Sequence, residues 1–491
     1  MATREGYYVR RDNPVQEGHL KCAGVISPSS NIPSVTYDVF DVIIIGAGYA
    51  GLSSARDLCL SGFKVLLLEA RDRLGGRTWT AEVEGHLYEM GGTWIYWGQP
   101  HVYREMSRYG YTKLLDSNAD KVGCNYFTSW INGKPRNISY EEEGPAVERA
   151  FEIFCDVDGN GGRRIIPYPH DPHFKPEAKQ WENISAAQRI DQVRAKLSEL
   201  ELYTLQGFVA AISGNDMNNT GFFDILRWWA LSGYSTQGLY DYTETYKIPE
   251  GQSRFARTMF DEALATGNLK YAFDTLITSI KDTSVTVEAT STSGKSWSAR
   301  RLISTIPLNI LNRIQFQPPL SPAKSAAHSI PHIGIGAKVH MEVQGTNLRT
   351  WSAAAWPDSR IFSGRGDGIT PAGNTHLVFF AGNQKGLNAQ EDARHMAAEA
   401  KKLHEMEIQK VIWHNWLEDP LSEGIWCMFP PGYSFDHLDT LRARHGNVLF
   451  ASADWALGWR GFIDGAIEEG TRAAMAVVKD LGFPRRVAPA L

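Results

Sequence analysis

Three glycines at Gly46-x-Gly48-x-x-Gly51, with Glu69 lying 18 residues beyond the last, form the first group able to do chemistry. The first glycine permits a tight turn, the second lets backbone approach a pyrophosphate, and the third lets helix and strand pack closely. An acid at that distance accepts hydrogen bonds from ribose hydroxyls and argues against a 2′-phosphate. Directly after it run Glu69-Ala70-Arg71-Asp72-Arg73-Leu74-Gly75-Gly76-Arg77. Paired glycines beside an arginine suit a backbone passing close to the same pyrophosphate, with Arg77 neutralising it. A second glycine pair follows in Gly91-Gly92-Thr93-Trp94.

The positioning elements can be read around these residues. Asp41–Ile45 is a short apolar run, as expected of a strand buried on both faces of a parallel sheet. Leu52–Leu60 has helical spacing, Gly62 closes that helix, and Lys64–Glu69 is a second buried strand. Strand, glycine turn, helix and strand make a βαβ unit that binds a dinucleotide. The alternative is an α/β domain whose glycines serve packing alone. Residues 1–37 read as an arm without its own core, with order beginning at Asp41. Helices are expected over 141–154, 187–202, 391–405 and 464–481, and strands over 276–280, 284–289, 299–306, 337–343, 376–380 and 448–451.

Composition narrows the function classes. The chain has 491 residues, 50 basic and 55 acidic side chains and a formal charge of −5, without the basic footprint of a nucleic-acid binder. No signal peptide or membrane span is expected, and the final Pro489-Ala490-Leu491 is a weak peroxisomal address. Five scattered cysteines without a CxxC pair suggest a reducing, intracellular setting, cytoplasmic or peroxisomal. Asp156-Val157-Asp158-Gly159-Asn160-Gly161 imitates a calcium loop, but Pro167 stands where the closing Glu belongs, so no metal is expected.

Blocks 41–51, 69–77, 89–94 and 447–475, with Trp228-Trp229-Ala230-x-Ser232-Gly233-Tyr234 and Asp454-Trp455-Ala456-Leu457-Gly458-Trp459-Arg460, resemble the flavin-containing amine oxidases. Among these the chain most resembles the fungal, soluble monoamine oxidase type with non-covalent FAD. The resemblance implies an α/β fold: a Rossmann-like FAD-binding domain (38–120, 246–310 and 426–485) interleaved with a mixed substrate domain (121–245 and 311–425), and a tail at 486–491. It implies FAD contacts from Gly46, Gly48, Gly51, Glu69, Ala70, Arg71, Gly76, Arg77, Gly92, Thr93, Trp94, Ile277, Trp416, Asp454 and Ile463. Lys338 corresponds to the lysine that holds a water near flavin N5. Trp426 and Phe462 correspond to the two aromatics flanking the amine. Tyr96, Trp97, Trp228, Trp229 and Tyr234 are expected in the substrate pocket, and Asp464 to cap the last helix.

The animal enzymes link FAD through a cysteine just before the cage aromatic. Here that position is Ile425, and Cys427 is expected to stay unlinked. The implied reaction takes an amine, O2 and water to an aldehyde, ammonia and H2O2, by hydride-equivalent transfer to flavin N5 and imine hydrolysis. The aromatic pocket residues favour a hydrophobic primary monoamine, with secondary amines also admitted. Arg227 and Arg460 leave an L-amino-acid oxidase open, and a polyamine oxidase or a non-catalytic binder shares the fold. By analogy a homodimer is expected.

Overall fold

The computed structural model describes residues 1–11, 13–33, 39–118, 123–382 and 387–484. Two large sheets organise it. The first has eight strands, with Leu269–Ala272, Val65–Leu68, Phe40–Ile45 and Ser296–Ser304 side by side and Val448–Phe450 paired to the last of these. Its centre is parallel: Ile44 pairs with Leu67 on one side and Ile303 on the other, and Ile303 also pairs with Leu449. Both faces are covered, so these strands are continuous in apolar residues rather than alternating. Val42 and Ile44 pack toward helices Tyr49–Leu60 and Ile463–Leu481, whereas Ile43 and Ile45 pack on the opposite face.

The second sheet has nine strands, and Ala337–Val343 lies between Thr375–Ala381 and Ile408–Asn415. Every residue of Ala337–Val343 is buried, Lys338 and His340 included. Helices Tyr140–Cys155, Glu199–Ser213 and Phe222–Leu231 belong to an apolar cluster of their own. The fold is thus mixed α/β. The last helix was expected from 464 and begins at Ile463, and the helix expected over 391–405 spans Ala389–Leu403.

Several expectations are corrected. The helix expected over 187–202 is two helices, Ala186–Val193 and Glu199–Ser213. Ser198 starts the second with a capping box to Glu201, a local signal that overrides continued helical spacing. Order also begins well before Asp41. Tyr7–Arg10 extends the nine-stranded sheet beside Ile408–Asn415, and Leu20–Lys21 joins Thr80–Val83. An arm that cannot build a core can still satisfy its backbone on a sheet edge. The tail 486–491, with Pro489-Ala490-Leu491, lies outside the described residues.

No helix among the described residues is long and apolar enough to cross a membrane, and no cluster there could hold a metal ion. In the calcium-like loop, Asp158 accepts from the backbone N–H groups of Asn160, Gly162, Arg164 and Ile165. Its carboxylate is spent on the turn itself.

Candidate active site

Gly46 ends its strand at φ +102°, where a Cβ would lie 2.3 Å from Thr305 Oγ1. A Cβ on Gly51 would lie 1.9 Å from Gly46 O, so the helix can approach the strand only without a side chain there. Gly51→Ala is therefore expected to cut the flavin-loaded fraction of purified protein by about tenfold, an overpacking penalty of 1–3 kcal/mol. The ratio of flavin to protein absorbance reads this directly.

Helix Tyr49–Leu60 starts at Gly48 with no side-chain cap, which leaves its first N–H groups and positive dipole end for an anion. The second glycine loop lies against it: Gly48 and Gly75 form a bridge, and Gly75 N donates to Ala47 O at 2.9 Å. Glu69 is buried between them, accepting from Ala47 N at 2.5 Å and Arg71 N at 2.8 Å. Burial raises its pKa while those two backbone donors oppose the rise. Two N–H bonds leave part of the carboxylate's accepting capacity for a ribose.

A single cavity of about 450 Å3 runs from these loops to the nine-stranded sheet. Gly46, Gly48, Glu69, Ala70, Arg71, Gly76, Arg77 and Ile277 line one part, and Gly92, Thr93, Trp94, Lys338, Trp416, Trp426, Phe462 and Ile463 line the rest. Uncapped helix N–H groups, side-chain-free backbone and a buried acid, continuous with an aromatic chamber, fit an FAD.

The segment Glu89–Trp94 forms a strap along this cavity. Lys338 Nζ donates to Gly91 O at 3.0 Å and also bonds Thr93 Oγ1. His340 Nε2 lies 2.9 Å from Glu89 O, Gln252 Nε2 donates to Thr93 O at 2.7 Å, and Trp416 Nε1 donates to Met90 O at 2.8 Å. Burial lowers the Lys338 pKa, and the Glu89 carboxylate acts the other way. Lys338 also sits 4.6 Å from the Trp94 ring centre.

Trp426 is fixed by Nε1 donating to Ile212 O at 2.9 Å and by edge contact with Phe380, ring centres 5.4 Å apart. Phe462 packs on Trp228 at 4.7 Å and on Trp459 at 5.0 Å. Both cage candidates are thus held by aromatic neighbours and present no carboxylate of their own.

Other expected residues lie elsewhere. Gly51 acts through packing. Asp454 does not line the cavity; fully buried, it accepts from Arg77 Nη2 at 2.7 Å and Leu308 N at 2.9 Å. Arg77 lines the cavity with its charge already matched by that pair. Trp229 faces away, donating to Gly161 O at 2.9 Å, because consecutive helical residues diverge by about 100° and only Trp228 can face inward. Tyr96 and Trp97 pack with Tyr246, and Trp97 is 42% exposed. The Tyr234 hydroxyl donates to Ile166 O, outside the cavity.

Arg227 and Arg460 are fully buried on Asp224, also off the cavity. Asp464 caps no helix of its own, since Phe462 holds that position. Its Oδ1 accepts from His101 N and Val102 N at 2.7 and 2.8 Å, closing the start of helix Pro100–Tyr109 instead. Cys427 is buried, and its thiol donates to Asp454 O at 3.4 Å. Ile425, not Cys427, lines the cavity. Missed by sequence reasoning were His340 and Gln252, which hold the strap from distant elements, and Thr243 and Glu244 on the cavity wall.

Residues 49–478 match the family model described as flavin containing amine oxidoreductase. A pseudooxynicotine dehydrogenase of Pseudomonas sp is 30% identical over 90% of this chain and 87% of its own. A nicotine dehydrogenase of Pseudomonas putida is 29% identical over 89% and 88%. A putrescine oxidase bound to putrescine superposes with a TM-score of 0.75 at 20% identity, covering 90% of this chain and 99% of that one, which speaks for the fold alone.

Proposed function

Because the chain belongs to the flavin-containing amine oxidoreductase family, we propose that it oxidises hydrophobic primary monoamines, and secondary ones as well, with FAD held non-covalently. The observation that carries this reading is the continuity of the cavity from Gly46 and Glu69 to Lys338, Trp426 and Phe462. When bound, FAD would supply the two-electron acceptor for the amine's α-carbon, with O2 as the final oxidant and H2O2 as its product. Trp426 and Phe462 flank the amine with apolar ring faces and hold no cation tightly, which favours the neutral form whose lone pair assists oxidation. Lys338 holds the strap and keeps one further N–H for a water beside the reacting carbon. The released imine hydrolyses to aldehyde and ammonia.

Anaerobic addition of simple primary amines should bleach the flavin. A coloured protein that no alkyl, aryl or secondary amine bleaches would sink the proposal. With Ile425 before Trp426, heat or acid should release all flavin into the supernatant; yellow pellets would show a covalent link.

A second reading concerns the electron acceptor. Two relatives near 30% identity are named dehydrogenases, so mixing reduced enzyme with O2 is decisive: slow reoxidation would assign another acceptor. The amino-acid reading loses its support, because Arg227 and Arg460 are committed to Asp224. Kinship with the fungal, soluble members belongs to the proposal and rests on the strings around Trp228 and Trp455. So do a homodimer, testable by light scattering, and an intracellular setting, which the five unpaired cysteines support.

A further inference from the structure

The strap that carries the partners of Lys338 is fastened near both ends to one residue, Gln252, which does not itself line the cavity. Gln252 opens helix Gln252–Ala265 and is 1% exposed. Gly251 before it offers no side-chain cap, so the Gln252 N–H needs an acceptor from elsewhere. Glu89 Oε1 supplies one at 2.9 Å, placing a carboxylate at the positive end of that helix. Toward the other end of the strap, Gln252 Nε2 donates to Thr93 O at 2.7 Å. On its far side, Tyr49 Oη donates to Gln252 Oε1 at 2.8 Å.

Chemistry leaves this amide one orientation. Thr93 O can only accept, so the amide nitrogen must face it, and the amide oxygen is left to the Tyr49 hydroxyl. The bonds then run in series from Tyr49, the first residue of helix Tyr49–Leu60, through Gln252 to Thr93. The Thr93 hydroxyl donates to Gly91 O at 3.0 Å, which turns its lone pairs toward Lys338. That hydroxyl and Gly91 O take two of the three Lys338 N–H groups. Without the Gln252 amide, Thr93 O loses this donor, and the strap can shift with both acceptors that aim Lys338.

We propose that Gln252 is a positioning residue for amine oxidation: by holding Thr93 it fixes where the remaining Lys338 N–H points, and with it the water beside the reacting carbon. This rests on the amine-oxidising reading of the cavity and on the part Lys338 plays in it. A displacement of about 1 Å that starts away from the reacting atoms can cost up to about a hundredfold in rate. Because Gln252 stands behind the cavity wall, its effect must pass through the strap to Lys338.

The test is a double-mutant cycle on the purified holoenzyme, read by rapid mixing in the half-reaction that Lys338→Met slows. Gln252→Met keeps the side-chain length and the backbone bond to Glu89 but removes the amide. It should slow the limiting rate by about tenfold or more, with flavin retained and the half-saturating amine concentration unchanged. In the K338M background the same substitution should slow nothing further, because effects transmitted through one residue do not add. Tyr49→Phe removes only the donor to Gln252 Oε1; its smaller loss should also vanish beside K338M, and it carries the test if Q252M folds poorly. Losses that multiply in the double variant, a loss confined to amine binding, or a Q252M or K338M rate equal to wild type would overturn the inference while leaving the amine-oxidising reading intact. Bleaching by no amine would overturn both.

Discussion

Replacing Lys338 by methionine is expected to slow turnover by about a hundredfold or more, the scale of losing a positioned proton-handling group, while FAD stays bound. Methionine keeps the length and apolar stem of a side chain that is 3% exposed. It removes the donors to Gly91 O and Thr93 Oγ1 and the cation beside Trp94. Burial makes this lysine easier to deprotonate than an exposed one, with the Glu89 carboxylate opposing. The wild type should thus show a titration in its rate profile that Lys338→Met lacks. Rapid-mixing measurement of flavin reduction and reoxidation across pH checks this. Unchanged rates in both half-reactions would remove Lys338 from the chemistry.

The second large effect falls on stability. Glu5→Gln should lower it by about 3–5 kcal/mol near neutral pH, the usual result of breaking a buried ion pair from one side. Glu5 accepts from Arg73 Nε at 2.7 Å and from Arg71 Nη1. Arg71 is 5% exposed and Arg73 is fully buried, and among the described residues only Arg71 of the two forms a further ion pair, with Asp419. Burial alone would raise the Glu5 pKa, but Arg73 and Arg71 outweigh it and hold it down at about 2, against an ordinary 4.5. A carboxylate with a lowered folded-state pKa stabilises fully above the ordinary value and loses that contribution as pH falls toward the lowered one. Melting temperatures of wild type and E5Q should therefore differ most at neutral pH and converge between pH about 4.5 and 2. Coincident curves at every pH would show that the pair contributes nothing.

What could be read from the residues alone follows the range of the forces involved. The glycine turn, the two buried strands and the acid Glu69 lie within one βαβ unit, where turn sterics and apolar runs act locally. The helix break at Ser198 was equally local and was available from its capping box. Trp228 and Trp229 show the limit: both read as pocket aromatics, but helix rotation sends one to the cavity and the other to Gly161. Asp464 has cap chemistry in sequence, and only the placement of helix Pro100–Tyr109 decides which cap it makes. Glu244 reaches the cavity through a π turn whose partner, Arg365, is remote in sequence, so no local pattern marked it.

The closing of the cradle by helix Ile463–Leu481 bears on how the protein is born. Helix Tyr49–Leu60 packs beneath it, and Ser54 Oγ donates to Gly470 O at 2.8 Å. A ribosome emits the glycine fingerprint well before this lid, with Val448–Phe450 supplying a strand to the same sheet only shortly ahead of it. Long-range pairing of this kind cannot be made until both partners have emerged. The glycine turn therefore stands on an incomplete sheet until Val448–Phe450 and helix Ile463–Leu481 have emerged, and a cradle able to hold the cofactor closes only once both are out of the ribosome.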